Sequence, residues 1–424
     1  MDSQTALNRL NLVKSHLKQG LTAGEAYRSS PRPISDDDVV ICSYSRTALC
    51  KAKRGSFKDT APEVLLAHVL RDVYTKAKLD PAKIQEISVG NCLQPGAGAT
   101  TSRMGGFLAG IPHTAALHGI NRQCSSGLQA VSHVANAIRV GQLDIGIGCG
   151  VESMTNFSFN DSIKAEALSE DIFEVENARN CLMGMGVTSD NVAKEYGITR
   201  EQQDEFGALS QKKALERIDD LTSEITPMKV NITDKDGNTK EIVVSKDEGI
   251  RPGTTAAKLA KLKPAFDPKE GTTTAGNASQ VTDGAAAVLL ARRSVAKALN
   301  LPIEGRFHGF AATGVPPHIM GIGPAVAIPE VLKRTGFKLD DVDIFEINEA
   351  FASQALYSAE TLGVPAEKLN PRGGAIALGH PLGATGARQI VTLFSELKKT
   401  GGKIGVTSMC IGTGMGAAGV FERE

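Results

Sequence analysis

Apolar residues recur along this chain in two rhythms, one of every second residue and one near every 3.6. Asp38-Val-Val-Ile-Cys-Ser-Tyr44 reads as an opening strand after a polar lead. Pro62 to Lys78 reads as a helix, because Val64, Leu65, Val69, Leu70 and Val73 fall at helical spacing. A short strand runs from Ile84 to Val89 and stops at Gly90. Further along come a helix over Arg200–Arg217 and an alternating strand over Glu241–Ser245. Strands and helices alternate through most of the chain, which predicts an α/β layered fold. No apolar run reaches the roughly 18 residues needed to cross a bilayer, so a soluble protein without a membrane span is expected.

Self-similarity organises these elements. Pro62-Glu-Val-Leu65 recurs as Pro329-Glu-Val-Leu332, and Leu79-Asp80 before one strand recurs as Leu339-Asp340 before the strand Val342–Ile347. Leu79 to Cys149 is 70 residues and Leu339 to Cys410 is 71. Matches in the same order at nearly constant spacing predict two copies of one α/β unit. The stretch between them is charged and reads as an insertion laid over the repeat. Four segments follow: a polar extension over 1–35, a first core unit over 36–151, an inserted region over 152–285 with a return segment near its end, and a second core unit over 286–424.

Composition removes some functions and leaves others. Of 424 residues, 41% are apolar and the formal net charge is zero, so no overall field favours nucleic acid or an anionic membrane. Trp is absent, which weakens any case for base stacking. The seven cysteines are odd in number and no pair has Cys-x-x-Cys spacing, so neither a zinc site nor a disulfide framework is indicated. Most of these thiols are expected to be buried and reduced. Two, Cys124 and Cys410, stand in unusual surroundings.

In Asn121-Arg-Gln-Cys124-Ser-Ser-Gly-Leu-Gln-Ala-Val131, small polar residues follow the cysteine and a helical pattern begins. A thiol at the start of a helix feels the positive end of its dipole, which predicts a lowered pKa and a larger thiolate fraction. The same pattern suits a buried thiol capping a helix. His380 stands between Gly379 and Pro381 in a glycine-rich loop, where it either caps a turn or acts as the proton acceptor a cysteine nucleophile requires. In Ser408-Met-Cys410-Ile-Gly412-Thr-Gly414-Met-Gly416, alternate glycines leave backbone N–H groups suited to a developing oxyanion. No Lys-Ser or Lys-Thr pair follows, so a nucleotide phosphate loop is not indicated. Asn348, in Glu346-Ile-Asn-Glu-Ala-Phe351, sits at the C-terminal edge of a predicted strand, where sites often form.

These blocks, together with Gly150-Val-Glu-Ser-Met154 and Thr274-Ala-Gly-Asn-Ala-Ser279, resemble the signature blocks of the thiolase family, in its order and spacing. The resemblance runs from about residue 36 to the C-terminus and is strongest to the peroxisomal 3-ketoacyl-CoA thiolases. It implies two core domains of one topology stacked as α/β/α/β/α layers with a loop domain between them. It also implies an acyltransferase that needs no metal or redox cofactor and takes coenzyme A as cosubstrate. Cys124 is then the acyl-accepting nucleophile, His380 takes its proton, and Cys410 is the general acid and base. Asn348 positions a water that forms one oxyanion hole with His380; the N–H groups of Cys124 and Gly412 form the other. Ser279 is implied to touch pantetheine, Met185 to border the acyl pocket, and Phe351 to stand with them on the substrate side. Bacterial acetoacetyl-CoA thiolases carry a His just before the matching Met, whereas this chain has Gly184, which implies a roomier pocket. Lys212, Lys213, Lys261 and Lys263 are candidates to meet CoA phosphates or are solvated surface lysines.

Partners implied by the resemblance are 3-ketoacyl-CoA, CoA and a second copy of the chain. Near the start, Arg9, Leu10, Val13, His16 and Leu17 share one helical face about 120° wide. They form a short amphipathic helix docking on the body or, by resemblance to the second type of peroxisomal targeting signal, an address read by an import receptor. The rival readings are a biosynthetic acetoacetyl-CoA thiolase, a ketoacyl synthase and an inactive scaffold. Cys410 opposes the second, and the filled catalytic positions oppose the third.

Overall fold

The computed structural model describes residues 30–159 and 167–424. The targeting residues Arg9 to Leu17 lie outside them. Twelve strands are numbered: β1 Val39–Arg46, β2 Cys50–Lys51, β3 Glu86–Gly90, β4 Ala116–Ile120, β5 Ile145–Ser153, β6 Met228–Thr233, β7 Thr239–Val244, β8 Thr282–Arg292, β9 Gly305–Gly314, β10 Ile344–Ile347, β11 Ile404–Ile411 and β12 Met415–Arg423. The helices of ten residues or more are α1 Pro62–Lys76, α2 Ala99–Leu108, α3 Ser126–Arg139, α4 Met185–Tyr196, α5 Arg200–Glu216, α6 Gly323–Thr335, α7 Ala352–Leu362 and α8 Leu382–Thr400.

Local chemistry explains where these begin and end. Pro62 opens α1, with its fixed φ and missing N–H suited to a first turn; Glu63 and Lys76 complement the dipole at its two ends. Leu65, Leu66, Val69, Leu70 and Val73 bury its inner face, whereas Val64 turns outward. A reciprocal capping box between Thr199 and Gln202 starts α5.

The expected repeat is present in the hydrogen bonding itself. In the first half β3 runs parallel to β5, β5 antiparallel to β8, and β8 antiparallel to β1. In the second half β10, β11, β12 and β9 repeat that sequence of directions. Parallel β4 extends the first set beyond β3, and its counterpart in the second shrinks to a bridge between Phe345 and Leu369. The halves meet where Val40 pairs with Arg306 and Ile41 with Gly305.

Between the two sets of strands lie α3 and α8. Fifteen of the 19 residues of α8 are buried, the mark of a helix covered on every side. Leu128, Val131, Val134 and Ile138 of α3 share a core with Ile390, Leu393, Phe394 and Leu397 of α8 and with strand residues of both halves. A second core lies under α1 and a third under α6. Helices, strands, helices, strands and helices therefore succeed one another in five layers.

The boundary expected between residues 285 and 286 falls inside β8. That strand pairs continuously with β5 from Asp283 to Ala291 and with β1 from Ala286 to Arg292, so it completes the first unit. Its run of small and apolar residues carries no mark of which half it joins. The inserted region, with α4, α5 and the β6–β7 hairpin, is fastened by buried ion pairs. Arg46 bonds Glu224 and Asp247, and Arg372 bonds Glu224 and Glu396, all within 1–2% exposure. Burying a guanidinium is tolerable only with such partners, and removing one partner costs about 3–5 kcal/mol.

Candidate active site

Cys124 sits two residues before α3, on a turn that follows β4. Asn121 shapes this turn by accepting the Gln123 N–H at 2.8 Å and donating to the Cys92 carbonyl at 2.9 Å. Gln123 adopts φ 48°, a left-handed conformation that costs a side-chain-bearing residue about 1–3 kcal/mol and recurs at functional sites. Leu93, Met154, Leu382 and Cys92 wall the thiol in. Burial raises its pKa to about 11, although the N–H groups of Gly412 and of Cys124 itself bond the sulfur and pull the other way. The expected lowering by the helix terminus is therefore overturned: removal from water outweighs the dipole and both N–H groups.

Gly412 reaches that sulfur from a tight hairpin. β11 and β12 pair up to Ile411 and Met415, and Thr413 and Gly414 turn the chain at φ 69° and 93°. Of the alternate glycines only Gly412 therefore serves the thiol. Gly414 makes the turn, and Gly416 pairs with Cys410 inside the hairpin. Cys410 is wholly buried with Met320, Ala350 and Phe351. Burial and the neighbouring Cys124 both push its thiol far up. A thiolate at Cys124 thus opposes ionisation of Cys410, so the two do not lose their protons together.

His380 enters from the second half, just before α8. Its backbone N–H donates to Gln280 O at 2.9 Å, Nδ1 lies 2.6 Å from Thr385 Oγ1, and Nε2 lies 3.4 Å from Asn348 Nδ2. Burial, reinforced by the Arg388 charge, pulls its pKa down to about 3, so the imidazole is neutral near pH 7. Asn348 follows β10 and is held by its N–H to Ser408 O at 2.8 Å. Its buried Oδ1 has no protein partner among the described residues.

Glycines bring the two helix starts together. A Cβ on Gly127 would lie 2.7 Å from Gly383 O, and one on Gly150 would collide with the same carbonyl, so α3, α8 and β5 approach at backbone contact. Glu152, at the end of β5, ties this crossing. It accepts from Gly383 N at 2.9 Å, Cys92 N at 2.9 Å and Leu93 N at 3.2 Å, and burial holds its carboxyl up at about 7.

The residues expected on the substrate side gather here too. Met185 and Ala278 pack on the Cys410–Phe351 cluster, and the Met185 sulfur would lie 3.3 Å from a Cβ on Gly412. Ser279 is held by its N–H to Ala350 O at 2.9 Å. Gly184 faces open space, with nothing within 4 Å of the place a Cβ would occupy. Beyond them lies a cleft of about 420 Å³ lined by Leu209, Lys212, Leu215, Arg251 and Thr254. Arg251 reaches Gln280 Oε1 at 3.2 Å, on the residue whose carbonyl binds His380. Lys213 is not free for a phosphate, because its ammonium donates to Ala366 O and Leu369 O. Sequence reasoning missed Thr385, Glu152, Cys92 and half-buried Cys181, whose sulfur bonds Asn177 O at 3.2 Å. Thr385 and Glu152 lay inside quoted blocks; nothing local marked Cys92 and Cys181.

Two thiols and a backbone N–H thus meet, and a neutral imidazole meets an amide, on elements drawn from both halves of a duplicated fold. The profile of the thiolase N-terminal domain matches residues 39–294 and that of the C-terminal domain matches 301–423. The chain belongs to the thiolase family. The N-terminal thiolase profile runs through β8, in agreement with the strand's pairing. Peroxisomal 3-ketoacyl-CoA thiolase B of Rattus norvegicus is 54% identical over 424 residues, covering 98% of this chain and 99% of that one. The crystal structure of the dimeric peroxisomal thiolase of Saccharomyces cerevisiae is 49% identical, covers 92% of this chain and 99% of its own, and superposes with a TM-score of 0.85. A second structure of the yeast thiolase, 45% identical over the same shares of the two chains with a TM-score of 0.74, is described as five layered and constructed from two core domains of identical topology. This thiolase has the same layers.

Proposed function

We propose that this thiolase cleaves 3-ketoacyl-CoA with free CoA, releasing acetyl-CoA and an acyl-CoA shortened by two carbons, as the last step of fatty acid β-oxidation. The observation that carries the reading is the pair of N–H groups, from Cys124 and Gly412, that meet at the Cys124 sulfur beside a second buried thiol. Cys124 gives its proton to His380 Nε2 as the sulfur attacks the C3 carbonyl. Because the free thiol is held high and the imidazole low, this proton moves only as the new bond forms. Protonated His380 and a water on Asn348 hold the oxyanion. The C2–C3 bond breaks, leaving an acyl group on Cys124 and an acetyl-CoA enolate that takes its proton from Cys410. The Cys410 thiolate then deprotonates incoming CoA, whose sulfur attacks the acyl-Cys124 carbonyl while the N–H groups of Cys124 and Gly412 hold its oxygen. Cys124 leaves as thiolate and recovers its proton from His380.

CoA serves as cosubstrate. The open space at Gly184 suits a long acyl chain, Ser279 suits pantetheine, and the cleft with Lys212 and Arg251 suits the anionic end of CoA. A homodimer is supported by the dimeric yeast relative and by exposed Met104, Phe107 and Leu108 on α2, beside edge strand β4. The peroxisomal relatives support residence in the peroxisome, and Arg9, Leu10, Val13, His16 and Leu17 are the proposed address. Incubating the purified chain with CoA and short, medium or long 3-ketoacyl-CoA tests the activity: equal yields of acetyl-CoA and shortened acyl-CoA are expected. Absence of thiolysis at every length refutes it. Sedimentation as a monomer refutes the dimer, and unchanged import after deletion of residues 1–17 refutes the address.

A further inference from the structure

His380 has one side-chain partner at Nδ1, and that partner, like Thr392 with Glu224 further along the same helix, departs from the commoner pattern of this chain's helical threonines. Thr75, Thr222, Thr335 and Thr400 return their hydroxyls to the carbonyl four residues back, on Arg71, Ile218, Val331 and Glu396, at 2.7–2.9 Å. Such back-bonding is the usual fate of a threonine inside a helix. Thr385, in the first turn of α8, does not follow it. Its fully buried hydroxyl has His380 Nδ1, at 2.6 Å, as its single hydrogen-bond partner among the described residues.

A hydroxyl released from its helix and committed to an imidazole differs from a carboxylate in that place. A carboxylate only accepts, so it fixes Nδ1 as N–H and favours the charged ring. A hydroxyl accepts from Nδ1–H without bringing that charge. The reaction proposed above needs a ring that is neutral before attack, cationic from the attack until Cys124 leaves, and neutral again at the end.

We infer that Thr385 is a positioning residue for thiolysis: its hydroxyl accepts from Nδ1–H of His380 and so holds the ring with a bare Nε2 toward Asn348. Nε2 takes the Cys124 proton and later returns it, while Nδ1 keeps its proton and its bond to Thr385 Oγ1 throughout. No covalent bond at Thr385 is made or broken. Arg388 on α8, paired with Glu346 on β10, is the charge that acts on His380. Among the described residues no carboxylate hydrogen-bonds the ring, which leaves Thr385 as its partner at Nδ1.

The inference rests on His380 acting as the proton partner of Cys124, and three full-length variants separate the two ideas. Thr385→Val keeps the shape and removes the hydroxyl; Thr385→Ser keeps the hydroxyl; His380→Ala tests the underlying reading. Leaving a buried nitrogen unpartnered predicts a kcat about tenfold to a hundredfold lower in Thr385→Val, with the KM for CoA within about twofold. The pH midpoint for alkylation of Cys124 by iodoacetamide moves upward in the same variant, because the ring accepts a proton less readily. Thr385→Ser restores kcat to within about threefold of the parent. Thr385→Ala repeats the kinetic pattern should the valine variant fold poorly. Loss of turnover in His380→Ala, with Thr385→Val as active as the parent, overturns the inference alone. So does a Thr385→Ser as poor as Thr385→Val, or an alkylation midpoint that stays put. Full turnover in His380→Ala overturns the reading beneath it.

Discussion

Gly150→Ala tests whether the backbone crossing of the two halves positions the chemistry. Gly150 lies on β5 against the first turn of α8, two residues before Glu152, which holds Gly383 and the Cys92 loop. An added Cβ would lie 2.8 Å from Ala384 Cα and 2.9 Å from Gly383 C, and closer still to the Gly383 carbonyl oxygen. All three are backbone atoms, so no side chain can swing aside. Ordinary contact requires the start of α8, and with it His380, to retreat by roughly 1 Å. A displacement of that size at reacting groups costs about a hundredfold in rate. Overpacking a close-packed interior costs about 1–3 kcal/mol, with rigid neighbours pushing toward the upper end. Guanidinium unfolding with kcat measured on the same preparation reads both effects. Gly314→Ala is the comparison, because nothing lies within 4 Å of its added methyl, and it is expected to stay within about 1 kcal/mol of the parent. A Gly150→Ala enzyme with parental stability and parental kcat would refute the argument that this contact sets the site.

Other outcomes follow from the same geometry. Cys410→Ser is expected to lose steady-state thiolysis while Cys124 still becomes acylated in a single turnover, as mass spectrometry of the intact chain will show; undiminished turnover contradicts its acid–base role. Gly184→His fills open space on the substrate side, so rates on long 3-ketoacyl-CoA should fall about tenfold or more relative to acetoacetyl-CoA. An equal effect on both lengths argues against a pocket wall there. Hydrogen bonds from His308 and Arg306 hold the Glu422 carboxyl down at about 2. Its folded value lies below the unfolded one near 4.5, so its stabilisation is present above that pH and is lost as pH falls toward 2. Glu422→Gln should flatten the stability curve across that window, and an unchanged acid limb counts against the pairing.

Much of this architecture was legible in the chain because the repeat leaves spacing as well as composition. The strand before Gly90, the strand before Asn348 and helix α1 all lie within a few residues of where periodicity placed them. Cys124, His380 and Cys410 stood out because glycine and proline around a reactive side chain mark an unusual backbone, and Gln123 and Thr413 do carry left-handed φ values. What escaped was set by distant neighbours. The helix terminus suggested a lowered thiol at Cys124, yet Leu93, Met154 and Leu382 exclude water and decide the opposite sign. Lys213 read as a surface cation until the carbonyls of Ala366 and Leu369 claimed it. The end of the first unit escaped because the apolar run Ala285–Ala291 inside β8 shows no preference between the halves.

The most direct test of the proposed reaction is to find where the acyl group rests. Mixing the enzyme with a long 3-ketoacyl-CoA in the absence of free CoA, quenching in acid and mapping the proteolytic peptides by mass spectrometry locates it. A shortened acyl thioester on the peptide containing Cys124, discharged when CoA is added before the quench, is the predicted result. Acyl groups on Cys92, Cys181 or Cys410 instead, or acetyl-CoA formed with no acylated peptide at any time, would contradict it.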